Sequence, residues 1–240
     1  MLDTTHKLIG TTAMNARHVV TLAALGALAT LVPLPASGQI QASLYGRGGL
    51  ISPSEYFYEV FKKFVDEEPT EWTTTSLGRT GVFGIGGELN WGDDAIRVRG
   101  ELMTTVGGWM RMSHSVLIPR TLTRPPFIVT DWYDIPYTMT LTSVQVILPT
   151  RLEIWRIEPY FAAGGGGKFY SFGEPSDPVD EDAVLPQAGF TWGADLAFGL
   201  SLSLSESIAV DLQARDAISK YWDKTQNDFL FTGALFWQVW

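Results

Sequence analysis

Residues 190–204 read "FTWGADLAFGLSLSL". Trp192, Ala194, Leu196, Phe198, Leu200, Leu202 and Leu204 fall on one side, and Thr191, Gly193, Asp195, Ala197, Gly199, Ser201 and Ser203 on the other. A helix repeats about every 3.6 residues and would scatter both sets, whereas period two over so long a run requires a β-strand with one apolar face. The same alternation recurs in "AIRVRGELMTTV", where Ile96, Val98, Gly100 and Leu102 oppose Arg97, Arg99 and Glu101. It recurs again in "IAVDLQAR", where Ile208, Val210, Leu212 and Ala214 oppose Asp211, Gln213 and Arg215.

A soluble barrel or sandwich turns such an apolar face inward, and a membrane barrel turns it toward lipid. The second arrangement fits better. The polar side carries glycine and serine (Gly164, Gly166, Gly193, Gly199, Ser201), which suit a crowded interior, and Trp91, Trp155, Trp192 and Trp240 sit near strand ends, as interfacial aromatics do. Strands are expected at 40–51, 77–91, 95–108, 138–149, 154–171, 187–204, 208–221 and 228–240. The links "GDD", "TRLE" and "SES" are short and the alternate ones longer, the signature of an outer-membrane barrel. The expected fold is therefore all-β: an eight-stranded antiparallel up-and-down transmembrane β-barrel spanning residues 39–240. In the fourth strand the alternation is blurred around Ser143 and Gln145.

Residues 1–38 read as a secretory signal peptide, a segment removed on export. Lys7 and Arg17 precede "VVTLAALGALATLVPLP", and the small residues Ala36, Ser37 and Gly38 follow. Without that segment the chain keeps a single histidine, His114. Cysteine is absent, which excludes disulfides and thiolate metal sites, and a net charge of −9 argues against a nucleic-acid partner.

"IEPYFAAGGGGKFYSF" (157–172) superficially suggests a phosphate-binding loop, but Ala162 and Phe169 occupy positions that such a loop gives to glycine and a hydroxyl residue. Read as a strand, it turns Glu158, Tyr160, Ala162, Gly164 and Gly166 inward, with the glycines leaving room for bulky side chains of opposite strands. The stretches "IEPYFAAGGGG", "GVFGIGGELNW" and "TGALFWQVW" resemble the small outer-membrane β-barrel proteins of the OmpA, OmpX and OmpW type. That resemblance implies a terminal aromatic read by the barrel-assembly machinery. Trp240 matches it and Phe236 fits the alternate-apolar series, while Gln238 departs from it. It also implies location in the outer membrane of a Gram-negative-type bacterium. The expected partners are outer-membrane lipid, lipopolysaccharide, periplasmic chaperones and the assembly machinery. A monomer is expected.

The phases place Arg47, Arg97, Arg99, Arg156 and Arg215 in the lumen against Glu88, Glu101, Glu158, Asp195 and Asp211. An eight-stranded interior is only wide enough for side chains to fill, so these charges are expected to pair. The first long link, "SPSEYFYEVFKKFVDEEPTEWTTT", can form a short amphipathic helix with Phe57, Phe61 and Phe64 on one face. The third carries Glu174, Asp177, Asp180, Glu181 and Asp182 without the spacing of a calcium-binding loop, and reads as a solvated acidic loop.

Three functions follow. One is a non-enzymatic barrel acting through its exposed loops in envelope integrity or surface interaction. Another is a narrow pore for small or hydrophobic solutes, as the resemblance to OmpW-type proteins implies. The last is a lipid A-modifying enzyme, which would use a histidine base beside a serine. Ser113 and Ser115 flank His114, but on a strand both point to the face opposite the imidazole. The first function is expected, with no catalytic residue and no cofactor.

Overall fold

The computed structural model describes residues 40–54, 58–65, 68–91, 96–119, 124–150, 152, 155–180, 183–221 and 224–239. The expected signal segment and Trp240 lie outside them. All regular structure among the described residues is β: β1 Ile40–Ser52, β2 Tyr58–Val65, β3 Glu68–Leu77, β4 Thr80–Trp91, β5 Ile96–Val106, β6 Gly108–Ile118, β7 Phe127–Pro149, β8 Ile157–Phe172, β9 Gly189–Ser203, β10 Ile208–Tyr221 and β11 Lys224–Gln238.

Eight of these strands close a ring in the order β1, β4, β5, β7, β8, β9, β10, β11, with β11 pairing back onto β1. Every pairing in it is antiparallel and joins chain-sequential ring strands, apart from the closure itself. This is an eight-stranded up-and-down barrel. Closure pairs the backbone groups that an open sheet would leave at its edges.

The first long link departs from the expected helix. Residues 58–65 and 68–77 form the hairpin β2–β3, with an irregular register around Lys63. Only Gly78 and Arg79 separate β3 from β4, and the pairings Leu77↔Met110 and Gly81↔Val106 keep one register across that break. The Gly78 amide donates to the Trp109 carbonyl at 2.8 Å, bridging the two ladders. On the partner side Gly107, with φ 67°, is the single residue between β5 and β6. The β5–β7 register passes through Thr104↔Thr140 and the β6–β7 register through Gly108↔Tyr137, so Gly107 is the extra residue of a bulge. The second, third and fourth ring strands therefore run on beyond the barrel, and β2 adds a further strand to give the sheet order β2-β3-β6-β7. The fourth ring strand starts at Phe127 instead of residue 138, and only residues 222 and 223 separate β10 from β11.

Leu44, Phe83, Ile85, Val144, Phe161, Leu196, Leu212, Phe231 and Leu235 form an exposed apolar band round the ring. Trp155, Trp192 and Trp237 are 84%, 73% and 71% exposed. Along β8, a Cβ at Gly166 would collide with the Thr142 carbonyl oxygen, so glycine allows the backbones of β7 and β8 this close approach. Elsewhere glycine accommodates a ring. Tyr160 lies over Gly199 of β9, and Tyr45 over Gly86 of β4. In both cases ring and glycine are paired residues of adjacent strands, not of opposite strands as expected, because the ring lies flat along the wall.

Candidate functional site: the layered barrel interior

The inward-facing side chains form two layers. Toward the end with the short links, charge dominates. Asp211 Oδ1 accepts from Arg47 Nη2 at 2.8 Å and from Arg99 Nη1 at 3.4 Å. Arg99 also reaches Glu88 at 2.7 Å. Arg47 Nε lies 3.4 Å from Glu101 Oε2, and Glu101 meets Arg215 through its other oxygen. Arg215 in turn donates to Asp195 at 3.0 Å, which also accepts from the Ser143 hydroxyl at 2.5 Å. The result is a continuous alternation: Glu88, Arg99, Asp211, Arg47, Glu101, Arg215, Asp195. Each carboxylate inside the chain touches two guanidiniums, which offsets the desolvation that an isolated buried charge would suffer.

Aromatic and amide groups complete this layer. The Arg99 guanidinium lies 4.8 Å from the Phe236 ring centre, 5.3 Å from Tyr160 and 5.5 Å from Tyr45, within cation–π range of all three. Tyr45 stacks on Phe236 at 4.4 Å and donates its hydroxyl to Glu101 at 3.1 Å. Gln213 donates to Gln145 and to the Tyr160 hydroxyl, both at 3.3 Å. At the mouth a polar cavity of about 230 Å³ opens among Gln41, Asn90, Arg97, Glu158, Ser201 and Ser203. Arg97 and Glu158 pair across it at 2.5 Å.

The other layer is apolar. Ile51, Val82, Met103, Met139, Leu141, Tyr170 and Leu230 fill the ring, and the cluster continues without a break into the extension through Leu77, Met110, Met112, Tyr133, Ile135 and Tyr137. Within this half Lys168 Nζ donates to Asp228 at 2.6 Å and to the Ala217 carbonyl at 2.5 Å. The third long link lies against the same cluster, with Val179 and Ala183 packed on it. Its backbone is tied to the extension by Gly173 N–H to the Pro136 carbonyl (2.8 Å) and Ser176 N–H to the Asp134 carbonyl (3.0 Å). The link is thus seated on apolar side chains through Val179 and Ala183, while its described carboxylates Glu174, Asp177 and Asp180 stay exposed to solvent as expected. Glu181 and Asp182 lie outside the described residues.

The structure brings together Arg47, Glu88, Arg99, Glu101, Asp195, Asp211 and Arg215, and places the Arg97–Glu158 pair at the mouth. It does not bring Arg156 there. Arg156 is exposed in the β7–β8 link with φ 74°, because the turn takes the chain out of extended geometry just before β8 begins. Phe236 faces inward, whereas the outward apolar series of β11 is Phe229, Phe231, Leu235 and Trp237. Sequence reasoning missed Lys168 and Asp228. Period two would have found both, since Lys168 continues the series Glu158, Tyr160, Ala162, Gly164, Gly166, and Asp228 shares a face with Thr232 and Phe236.

His114 is buried in the extension. Its Nδ1 lies 3.3 Å from Thr73 Oγ1, and its Nε2 lies 3.9 Å from Glu71 Oε1. Glu71 is bound by Lys63 at 2.6 Å. Ser113 and Ser115 occupy the opposite face of β6, where Ser115 shares a hydrogen bond with Thr130 at 3.0 Å. Neither serine meets the imidazole. Among the described residues no group of three or more His, Asp or Glu side chains is placed to hold a metal ion.

No protein-family model and no curated protein matches the chain. Among solved structures it is similar to Neisserial surface protein A, with 8% identity over 85% of this chain and 99% of that one, at a TM-score of 0.46. It is also similar to Ail, the attachment invasion locus protein of Yersinia pestis (11% identity, 84% and 99% covered, TM-score 0.40). The N-terminal β-barrel domain of Pseudomonas aeruginosa OprF shows comparable likeness (11% identity, 85% and 100% covered, TM-score 0.39).

Proposed function

We propose that this chain is a non-enzymatic outer-membrane β-barrel protein that works through the sheet extension and links at its long-link end, in envelope integrity or surface interaction. The observation that carries the reading is an interior filled beyond the polar cavity at its mouth: charges paired in one half, methionine, tyrosine and aliphatic side chains packed in the other. Such a lumen offers solutes no standing path. The exposed apolar band supports insertion in lipid. On β11 it runs from Phe229 to Trp237, close to the 9–11 residues that a tilted strand needs to cross a bilayer. The band would contact lipid, and the extension, beyond it, would meet lipopolysaccharide or a partner. Residues 1–38 would direct export and be removed, and the C-terminal strand would engage the assembly machinery. The burial of His114, with Ser113 and Ser115 on the opposite face of the strand, favours the non-enzymatic reading.

The test is the current carried by the purified full-length chain in a planar bilayer. Rare small openings are expected. A large, stable conductance would replace this reading with the narrow pore for small or hydrophobic solutes. A changed lipid A profile in cells producing the chain, abolished by His114→Ala, would replace it with the enzyme.

A further inference from the structure

One row of residues crosses the sheet extension. Glu59 of β2 pairs with Thr74 of β3, Thr74 with Ser113 of β6, and Ser113 with Trp132 of β7. All four sit side by side on the face turned away from the buried cluster. Neighbouring strands lie about 4.8 Å apart, so the row is about 14 Å long. Its profile is uneven. Thr74 and Ser113 are short and form a floor. Trp132, 64% exposed, stands at one end, and Glu59 at the other holds Lys224 of the β10–β11 hairpin at 3.4 Å. The Ser54 hydroxyl locks that hairpin in place, donating to the Asn227 carbonyl at 2.9 Å and accepting from the Asn227 amide at 2.7 Å. These residues and Thr225 line an open, shallow groove on the surface.

Each part of the groove limits what can occupy it. An exposed indole is covered well only by a flat apolar face. Serine and threonine hydroxyls both donate and accept, and so need a partner that does both. Glu59 and Lys224 already neutralise each other, leaving lone-pair and N–H capacity but no net charge to draw a highly charged ion. An acyl chain would leave the floor hydroxyls unpaired, at a cost that burial exacts from any unsatisfied polar group. A pyranose ring has an apolar C–H face and a rim of hydroxyls in one rigid unit. We propose that this groove binds a short oligosaccharide, with one sugar stacked on Trp132, the next over Thr74 and Ser113, and hydroxyl contacts to Glu59 and Lys224. This site rests on the surface reading above and gives it a ligand class.

The experiment uses the full chain in lipid nanodiscs free of sugar-based detergent, with maltotriose, chitotriose and trigalacturonic acid as probes. Saturation-transfer NMR should show transfer to the ring C–H protons of at least one trisaccharide. Trp132→Ala should weaken that binding at least tenfold. Ser113→Leu, which fills the floor, should do the same. Both variants should keep the wild-type shift in gel mobility on boiling. No transfer to any probe, or transfer unchanged in Trp132→Ala, overturns the proposal. A second measurement separates this failure from that of the surface reading. The chain contains no cysteine, so Glu68→Cys gives a unique label site at the β2–β3 tip. A membrane-impermeant maleimide should label it on intact cells. Labelling without saccharide binding defeats the glycan site alone, and absence of labelling defeats the surface reading and the glycan site with it.

Discussion

The two halves of the barrel interior achieve closure by opposite means. The short-link half is held by directional contacts: Asp211 must face Arg47 and Arg99 together, and Glu101 must face Arg47 and Arg215. These groups come from three non-adjacent strands, β1, β5 and β10, so the network fixes how the walls face each other across the lumen. The long-link half has almost no directional contacts among Met103, Met139, Leu141 and Leu230, and fills space by shape. Methionine suits that role, because its unbranched flexible chain fills irregular gaps. Ion pairs specify the arrangement and apolar packing seals it. Removing a component from each half should therefore do different things.

The largest effect is expected from opening both halves at once. A variant carrying Arg97→Ala, Arg99→Ala and Glu101→Ala should gain little steady conductance in a planar bilayer, because the apolar layer still blocks the lumen. Adding Met103→Ala and Met139→Ala should convert rare openings into a steady current. Equal conductance in the two variants would mean that the apolar layer is not a seal.

Next comes Arg215→Ala. Glu101 and Asp195 both lose a buried partner, and breaking a buried pair costs about 3–5 kcal/mol. Urea titration of the barrel refolded in lipid would measure it, and a loss below about 0.5 kcal/mol would place these groups in water. Met139→Ala should cost somewhat less, about 2–4 kcal/mol, as lost transfer energy plus the cavity left behind. It should also differ in kind, with Met139→Leu nearly neutral because volume is kept. Arg215→Lys should recover little, since a single ammonium cannot reproduce the paired guanidinium contacts.

The boundary between these halves explains what could be read from the sequence. All eight ring strands were legible, because β9 and β10 carry unbroken alternation and the short links are plain. In β7 the alternation looked blurred because the apolar residues change sides. Val144, Val146 and Leu148 point outward in the charged half, while Met139 and Leu141 point inward in the apolar half, with Thr138, Thr140 and Thr142 outward. The outward residues of β7 are apolar below Ser143 and polar above it, while its inward series passes from Gln145 and the buried Ile147 to the wholly apolar Leu141 and Met139. The extension was missed for a related reason. "EPTEWTTTSL" buries Thr73 and Thr75 on one face and shows Trp72 and Thr74 on the other, so hydropathy does not alternate and only the β-branched content favours a strand. In the preceding "EYFYEVFKKF", Phe57, Phe61 and Phe64 have helical spacing, yet the β3 edge supplies a ladder that overrides it for residues 58–65. The charged site was read almost wholly from phase. Arg156 failed because phase has no meaning in a turn.

The smallest effect should come from Arg97→Ala, although Arg97 lies in the same strand as Arg99. Its partner Glu158 keeps 26% of its side chain exposed, and the pair borders the cavity at the mouth, so the freed carboxylate can be hydrated there. Pairs open to water contribute roughly 0.2–1 kcal/mol, and Arg97→Ala should fall within that range. The loss should shrink further as salt is raised, because exposed charges are screened and buried ones much less so. Arg215→Ala, measured alongside, should keep its full cost across the same salt series. Two arginines of one interior, one sensitive to salt and one not, would locate the level at which water stops. A salt-independent loss of several kcal/mol at Arg97 would move that level to the mouth itself, and would make the polar cavity part of the sealed interior.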